Sequence, residues 1–228
     1  MDLSEPYKIA IKAFEAWLAT TPHPVTLFVI TDLFESEEFG EWFNALLAKH
    51  GERLTVGCHG LTHRSWSAWP EDGEGFEASL KQATAVLKEK AGGHFRPWFR
   101  APAGYIAPWM ATTLAGQGYT VDSSVNPSWL VRKKAGKGNS WADVNDAMAQ
   151  QGVLERPWAT RFSLPVNGPA LTKFPLSVIA RGVWKKAPSV LTGSELDAAV
   201  PDSTQPLVTL YWHVLDHSRN KAAWTPPL

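Results

Sequence analysis

One cysteine in 228 residues leaves nothing for an intrachain disulfide to join. Cys58 thus excludes a fold held by cross-links and suits a reducing compartment, so a cytoplasmic location is expected. An excess of either charge is missing too: 22 Lys and Arg against 22 Asp and Glu give a formal net charge of zero. Without a basic block or stripe, neither nucleic acid nor an anionic membrane is an expected partner. The densest basic stretch, VRKKAGKG (131–138), reads as a solvated loop. No apolar run approaches the ~18 residues of a membrane span. The opening MDLSEPYKIAIKAFEAW has acids early and no compact hydrophobic segment, so it does not read as a signal peptide. Internal repeats and low-complexity linkers are also lacking, and a single domain over 1–228 is expected.

What is present is an apolar, tryptophan-rich chain. Hydrophobic residues make up 44% and charged residues 19%, which is enough to bury a substantial core. The 12 tryptophans can fill that core or supply stacking faces for sugar rings. Ser4 is placed as an N-cap and Pro6 in the first turn of a helix whose stripe is Tyr7, Ile11, Phe14 and Leu18. PHP (22–24) stops it, and VTLFVI (25–30) reads as a buried strand. A helix over 36–49, a strand RLTVGC (53–58) and a helix over 75–90 follow. HFRPWFRAP (94–102) reads as a short strand entering a proline-rich loop, APWMATTLAGQG (107–118) as a helix and YTVDSS (119–124) as a strand. Residues 125–145 read as a surface loop. PLSVIA (175–180) and PLVTLYWH (206–213) are strand candidates, with a short helix at Ser194–Ala199.

Strands alternating with helices predict parallel βαβ units, in a barrel or a doubly wound sheet. His59, Asp122 and His213 fall at or near strand C-terminal ends, the rim where barrel enzymes gather their catalytic groups. His59 and His63 are four apart, as two ligands on one helical turn would be. Alone the pair reads equally as two unrelated polar residues. A tetrahedral catalytic site needs a third protein ligand and an open position for water.

VTLFVITDLFE (25–35), VGCHGLTHRSW (56–66), FRAPAGY (99–105), GYTVDSS (118–124) and LYWHVLD (210–216) occur in an order and spacing that resemble the polysaccharide deacetylases, carbohydrate esterase family 4. The resemblance runs from Asp2 to about His217. It implies an α/β fold, a distorted, incomplete (β/α) barrel that here lacks its first strand. It also implies a divalent metal, zinc in most of the family, held by Asp2, His59 and His63. The activity implied is removal of acetyl groups from N-acetylated sugars by metal-activated water. By the same resemblance His213 is the catalytic acid, Arg100 holds the base aspartate, and Ala103 and Tyr105 line the oxyanion and substrate positions. A backbone donor at Ala103 would act where charge develops in the transition state.

The sequence departs from that pattern at its start. In the family pattern the base aspartate immediately precedes the metal aspartate, where Met1 stands, or lies two before it as Asp-x-Asp, a position outside this chain. Two expectations follow: a chain truncated at its N-terminus, or a complete one lacking the base. Asp32 is a weak candidate to replace it, since a strand-end Asp more commonly caps a helix. Asp122 fits the fold without a catalytic assignment, and Asp216 and His217 read as surface residues. Beside the metal-dependent deacetylase stand two alternatives: a carbohydrate-binding family member without catalytic power, and an amidohydrolase acting on a non-sugar amide or imide. In each case the expected partner is a carbohydrate or another amide-bearing small molecule.

Overall fold

The computed structural model describes residues 2–187 and 191–228. The first helix, α1 (Glu5–Thr20), buries Ala10, Ile11, Phe14 and Leu18, a stripe with helical spacing. The Ser4 hydroxyl makes no capping bond, and Pro6, which pre-sets φ, marks the start of the helix instead. The chain then alternates: β1 (Val25–Val29), α2 (Glu37–His50), β2 (Leu54–Cys58), α3 (Gly73–Ala91), β3 (Phe95–Phe99), α4 (Met110–Gly116), β4 (Val121–Asp122), α5 (Trp141–Gln150) and β5 (Leu154–Glu155). Side-chain caps start several of these helices: Ser36 accepts from Phe39 N–H at α2, Asp72 from Gly75 N–H at α3, and Ser140 and Asp143 form a capping box at α5.

The five strands form one parallel sheet in chain order, β1 to β5. Such consecutive order is that of a barrel wall. Here β1 and β5 are both edges, so the sheet stays open, a distorted and incomplete barrel as the resemblance implies. Strand β2 is buried throughout, whereas β1 alternates: Val25, Leu27 and Val29 are buried, and Thr26 and Phe28 are half-buried. The continuous apolar run of β1 therefore has one face in the core and one facing a cavity that Thr26 and Phe28 line.

Beyond β5 the sequence reading fails in several places. Residues 125–145 are not all loop, since a 3-10 turn covers Trp129–Ala135 and α5 starts at Trp141. PLSVIA is no strand; it lies in α6 (Leu176–Trp184). Leu176, Ile179, Ala180, Val183 and Trp184 pack as one cluster at helical spacing, a period that the short apolar run conceals. The segment 206–213 joins no ladder. Its one bridge runs parallel between Trp158 and Thr209. The remaining bonds go to loop groups, from Gly168 N–H to the Tyr211 carbonyl and from Tyr211 N–H to Asn167 Oδ1. A short hairpin, β6 (Thr160–Arg161) with β7 (Leu164–Pro165), and the helix α7 (Gly193–Ala199) complete this part, α7 where a short helix is expected.

Asp216 and His217 are buried, at 4% and 0% exposure, and are not the surface residues that their polarity suggests. The 3-10 turn Val214–Ser218 docks on α1, where His217 lies edge-on to Phe14 with ring centres 5.4 Å apart. Trp212 Nε1 donates to His217 Nε2 at 3.0 Å, and burial pushes the imidazole down to about 4, so it stays neutral.

Candidate functional site

A cavity of about 640 Å³ lies between the sheet and the 206–215 segment. His59, His63, Arg100, Ala103 and His213 all line it, together with Phe28, Trp158 and Tyr211. Five of the seven site residues expected from sequence therefore share one hollow. Asp2 and Tyr105 are not in its lining. Asp2 is exposed, and its charge acts on Lys8 at the start of α1. Tyr105 is half-buried and lies under the Lys134 ammonium, 5.3 Å from its ring centre.

The two histidines meet, but not on a helix. Residues 59–65 have no helical structure. Gly60, at φ +95°, turns the chain, and its carbonyl accepts from Thr31 N–H while that of Leu61 accepts from Asp32 N–H. That loop sets the His59 and His63 rings 5.4 Å apart. His59 Nδ1 donates to the Arg100 carbonyl at 2.6 Å, which leaves Nε2 as the lone-pair nitrogen. Burial pushes His59 down to about 3 and holds it neutral, with the charges of His63, Arg100 and His213 adding to the effect. His63 is lowered by its own partial burial and then by His213.

A neutral imidazole with one nitrogen fixed on a carbonyl suits metal ligation. The donor set ends there. Among the described residues no group of three or more His, Cys, Asp and Glu side chains could hold a metal ion. The expected trio of Asp2, His59 and His63 is not such a group: Asp2 is exposed and precedes α1. Met1, the expected position of the base, lies outside the described residues. Asp32 sits in a 3-10 turn over Thr31–Glu35, with its carboxyl raised by burial and by Glu35. The expectation of hydrolysis by metal-activated water is corrected accordingly, since among the described residues no three metal-ligating side chains come together.

Arg100 and the rings around it give the cavity its character. Its Nε donates to the Ser123 carbonyl at 3.0 Å and its Nη2 to Ser123 Oγ at 2.9 Å. The guanidinium carbon lies 4.4 Å from the Phe28 ring centre, 5.0 Å from that of Tyr211 and 5.6 Å from that of Trp158. Trp158 and Tyr211 lie against each other at 4.3 Å. Each ring also packs on a glycine with positive φ: a Cβ on Gly104 (φ +70°) would come 2.7 Å from Trp158, and one on Gly168 (φ +52°) 2.7 Å from Tyr211 Oη. Sequence reasoning placed Arg100 but missed Phe28, Trp158 and Tyr211. Only the high tryptophan count hinted at such a wall.

Under this wall lies a buried carboxyl pair. Asp122 accepts from Ser124 N–H at 3.2 Å and from Ser124 Oγ at 2.6 Å, and Glu155 accepts from Val125 N–H at 3.1 Å. Burial raises both, and the neighbouring Asp122 raises Glu155 further, well above the usual carboxyl range. His213 is exposed at the rim, where Asp216 accepts from its N–H at 3.1 Å.

Comparison with known proteins places this geometry. The family described as polysaccharide deacetylase matches residues 9–121, close to half of the chain. Among solved structures, a Mycobacterium smegmatis protein provisionally described as a polysaccharide deacetylase aligns over 96% of this chain and 68% of its own. The two share 20% identity with a TM-score of 0.53, a likeness of fold. The structure of IcaB from Ammonifex degensii aligns over 69% of this chain and 64% of its own, at 22% identity and a TM-score of 0.43. No curated protein matches.

Proposed function

We propose that this chain, which belongs to the polysaccharide deacetylase family, binds an N-acetylated glycan in the Arg100 cavity without catalysing its deacetylation. The carrying observation is the pairing of a sugar-sized hollow with the lack, among the described residues, of three side chains that could hold a metal. Phe28, Trp158 and Tyr211 offer flat faces for pyranose rings, and His59, His63 and His213 offer ring nitrogens for hydroxyl or acetamido groups. A hollow of this volume falls in the range of small-molecule sites.

Family membership supports a carbohydrate or related amide as the ligand. Sugar binding needs the rings and the hydrogen-bonding groups, and both are present. Tryptophan fluorescence tests this reading, because Trp158 lines the hollow. Chitotetraose should change the emission saturably, to the same extent with and without added zinc. Tyr211→Ala, which removes one ring of the wall, should weaken binding by about tenfold. No saturable change at millimolar chitotetraose would count against the reading.

A further inference from the structure

The formal net charge of zero conceals an uneven division. Acids are absent from residues 123–142 and again from 156–194, while both stretches carry several Lys and Arg. Three adjoining elements come from these stretches: the 3-10 turn Trp129–Ala135, the hairpin of β6 and β7, and the helix α6. The turn packs on β7, and α6 packs on both strands of the hairpin. Arg132, Lys133, Arg161, Lys173 and Arg181 are exposed on or beside these elements. None of the ion pairs among the described residues involves them. Asp143, the acid that follows the turn, is held in the capping box with Ser140.

The same elements leave large apolar side chains in solvent. Phe174 is 85% exposed, Phe162 75%, Val178 65% and Trp129 62%, and none of them lines the hollow. An exposed apolar side chain on its own needs no explanation, but several on neighbouring elements mark an interaction surface. Phe162 adds a second sign. It stands with Ser163 at the two central positions of the hairpin turn, at φ +53° and +56°. Asn and Gly suit such positions, whereas a bulky ring at positive φ is strained. The turn thus keeps an aromatic tip that its own stability does not favour. The Arg161 guanidinium lies 4.4 Å from the centre of that ring.

We propose that this face rests on a bilayer with anionic headgroups, the rings of Phe162, Phe174 and Trp129 entering the upper acyl chains and the cations meeting the phosphates. Charge complementarity selects this occupant, since the stretches that build the face bring cations and no acid. Rings on the tips of turns enter lipid without a matching pocket, whereas a protein partner would have to shape one for each. Among the described residues no helix is long and apolar enough to cross a bilayer, so the contact proposed is peripheral.

Co-sedimentation with vesicles tests this, using phosphatidylcholine alone and phosphatidylcholine mixed with phosphatidylglycerol. The unaltered protein should partition onto the mixed vesicles about tenfold more strongly. That advantage should largely vanish between about 0.1 M and about 1 M salt, as the screening length shortens. Phe162→Asn suits the φ of the turn, so it should fold at least as stably and yet weaken partition by about fivefold. Adding Phe174→Ser should weaken it by about tenfold or more, with folding followed by urea denaturation. Equal partition onto both vesicles overturns the anionic assignment. Unchanged partition in the folded double variant overturns the assignment to this face. No partition onto either vesicle overturns the proposal, and a dimer that the double variant dissolves would give the face to a second copy of the chain instead.

Discussion

Two facing walls of one hollow, a ladder wall within residues 3–155 and a second wall within residues 158–187 and 191–224, are built differently. The first wall is a parallel ladder with a large contiguous core, from Leu3 through Phe99 to Val153. The second is a hairpin, a helix and an extended run around a core of six buried residues: Val166, Ala170, Leu171, Ala180, Trp184 and Trp224. Trp212 touches both clusters and ties one wall to the other. The ladder wall supplies the fixed polar groups, His59 and Arg100. The second wall supplies His213 and the Tyr211 ring, held by loops and one bridge. Precision is concentrated where backbone hydrogen bonds are regular, and adaptability where they are not.

The largest expected effect breaks the comparison at the cores. Phe99 is fully buried between Phe76 and Tyr119, and Phe99→Ala should cost about 3–5 kcal/mol of global stability by urea denaturation. Trp184→Ala removes an equally buried ring from the small cluster, together with its hydrogen bond to the Val166 carbonyl. Its signature should be local: faster amide exchange over 166–184, with protection of β2 retained. Equal loss of protection in both walls would show that the two form one cooperative unit.

A smaller effect is expected where the walls meet. Gly104→Ala places a Cβ against the Trp158 ring at a φ that L-residues seldom adopt, and should cost about 1–2 kcal/mol. It should also weaken glycan binding by displacing Trp158. Unchanged binding would show that this ring takes no part.

The smallest effect is a pH slope within the ladder wall. Glu155 is raised above its unfolded value, so its contribution is full below the ordinary carboxyl pKa of 4.5 and is lost as pH rises through the folded pKa. His59, lowered to about 3, acts with the opposite sign below 6.5. Glu155→Gln leaves His59 in place, so the difference between the two proteins isolates the carboxyl. Unaltered protein should lose stability relative to the variant as pH rises above about 4.5, with a slope of up to one proton. Parallel pH profiles would place the proton elsewhere.

The same two walls differ in how legible they were from sequence. In the ladder wall each strand is a separate apolar run bounded by turn residues, and each helix shows its 3.6 period, as with Phe39, Phe43, Leu46 and Leu47 in α2. In the second wall local pattern misleads. PLSVIA is too short to separate strand from helix by period, and its helical partners Val183 and Trp184 lie outside the quoted run. PLVTLYWH has strand composition, but Pro206 has no N–H to donate and loop groups take the bonds of Tyr211. The histidine pair was legible as a pair, whereas its missing third ligand is a fact of placement. Asp2 stands in the right order along the chain and in the wrong place in space. The rings around Arg100 come from three separate segments, and no motif links them.

The central claim is that the hollow holds an N-acetylated glycan and leaves its acetyl groups in place. Proton NMR of chitotetraose with the protein and excess zinc reads both halves at once. The account predicts broadened or shifted acetyl resonances and no growing signal of free acetate over days. Acetate accumulating beyond one equivalent per protein would contradict it, since turnover would then proceed at a site to which the described residues bring only two histidine ligands.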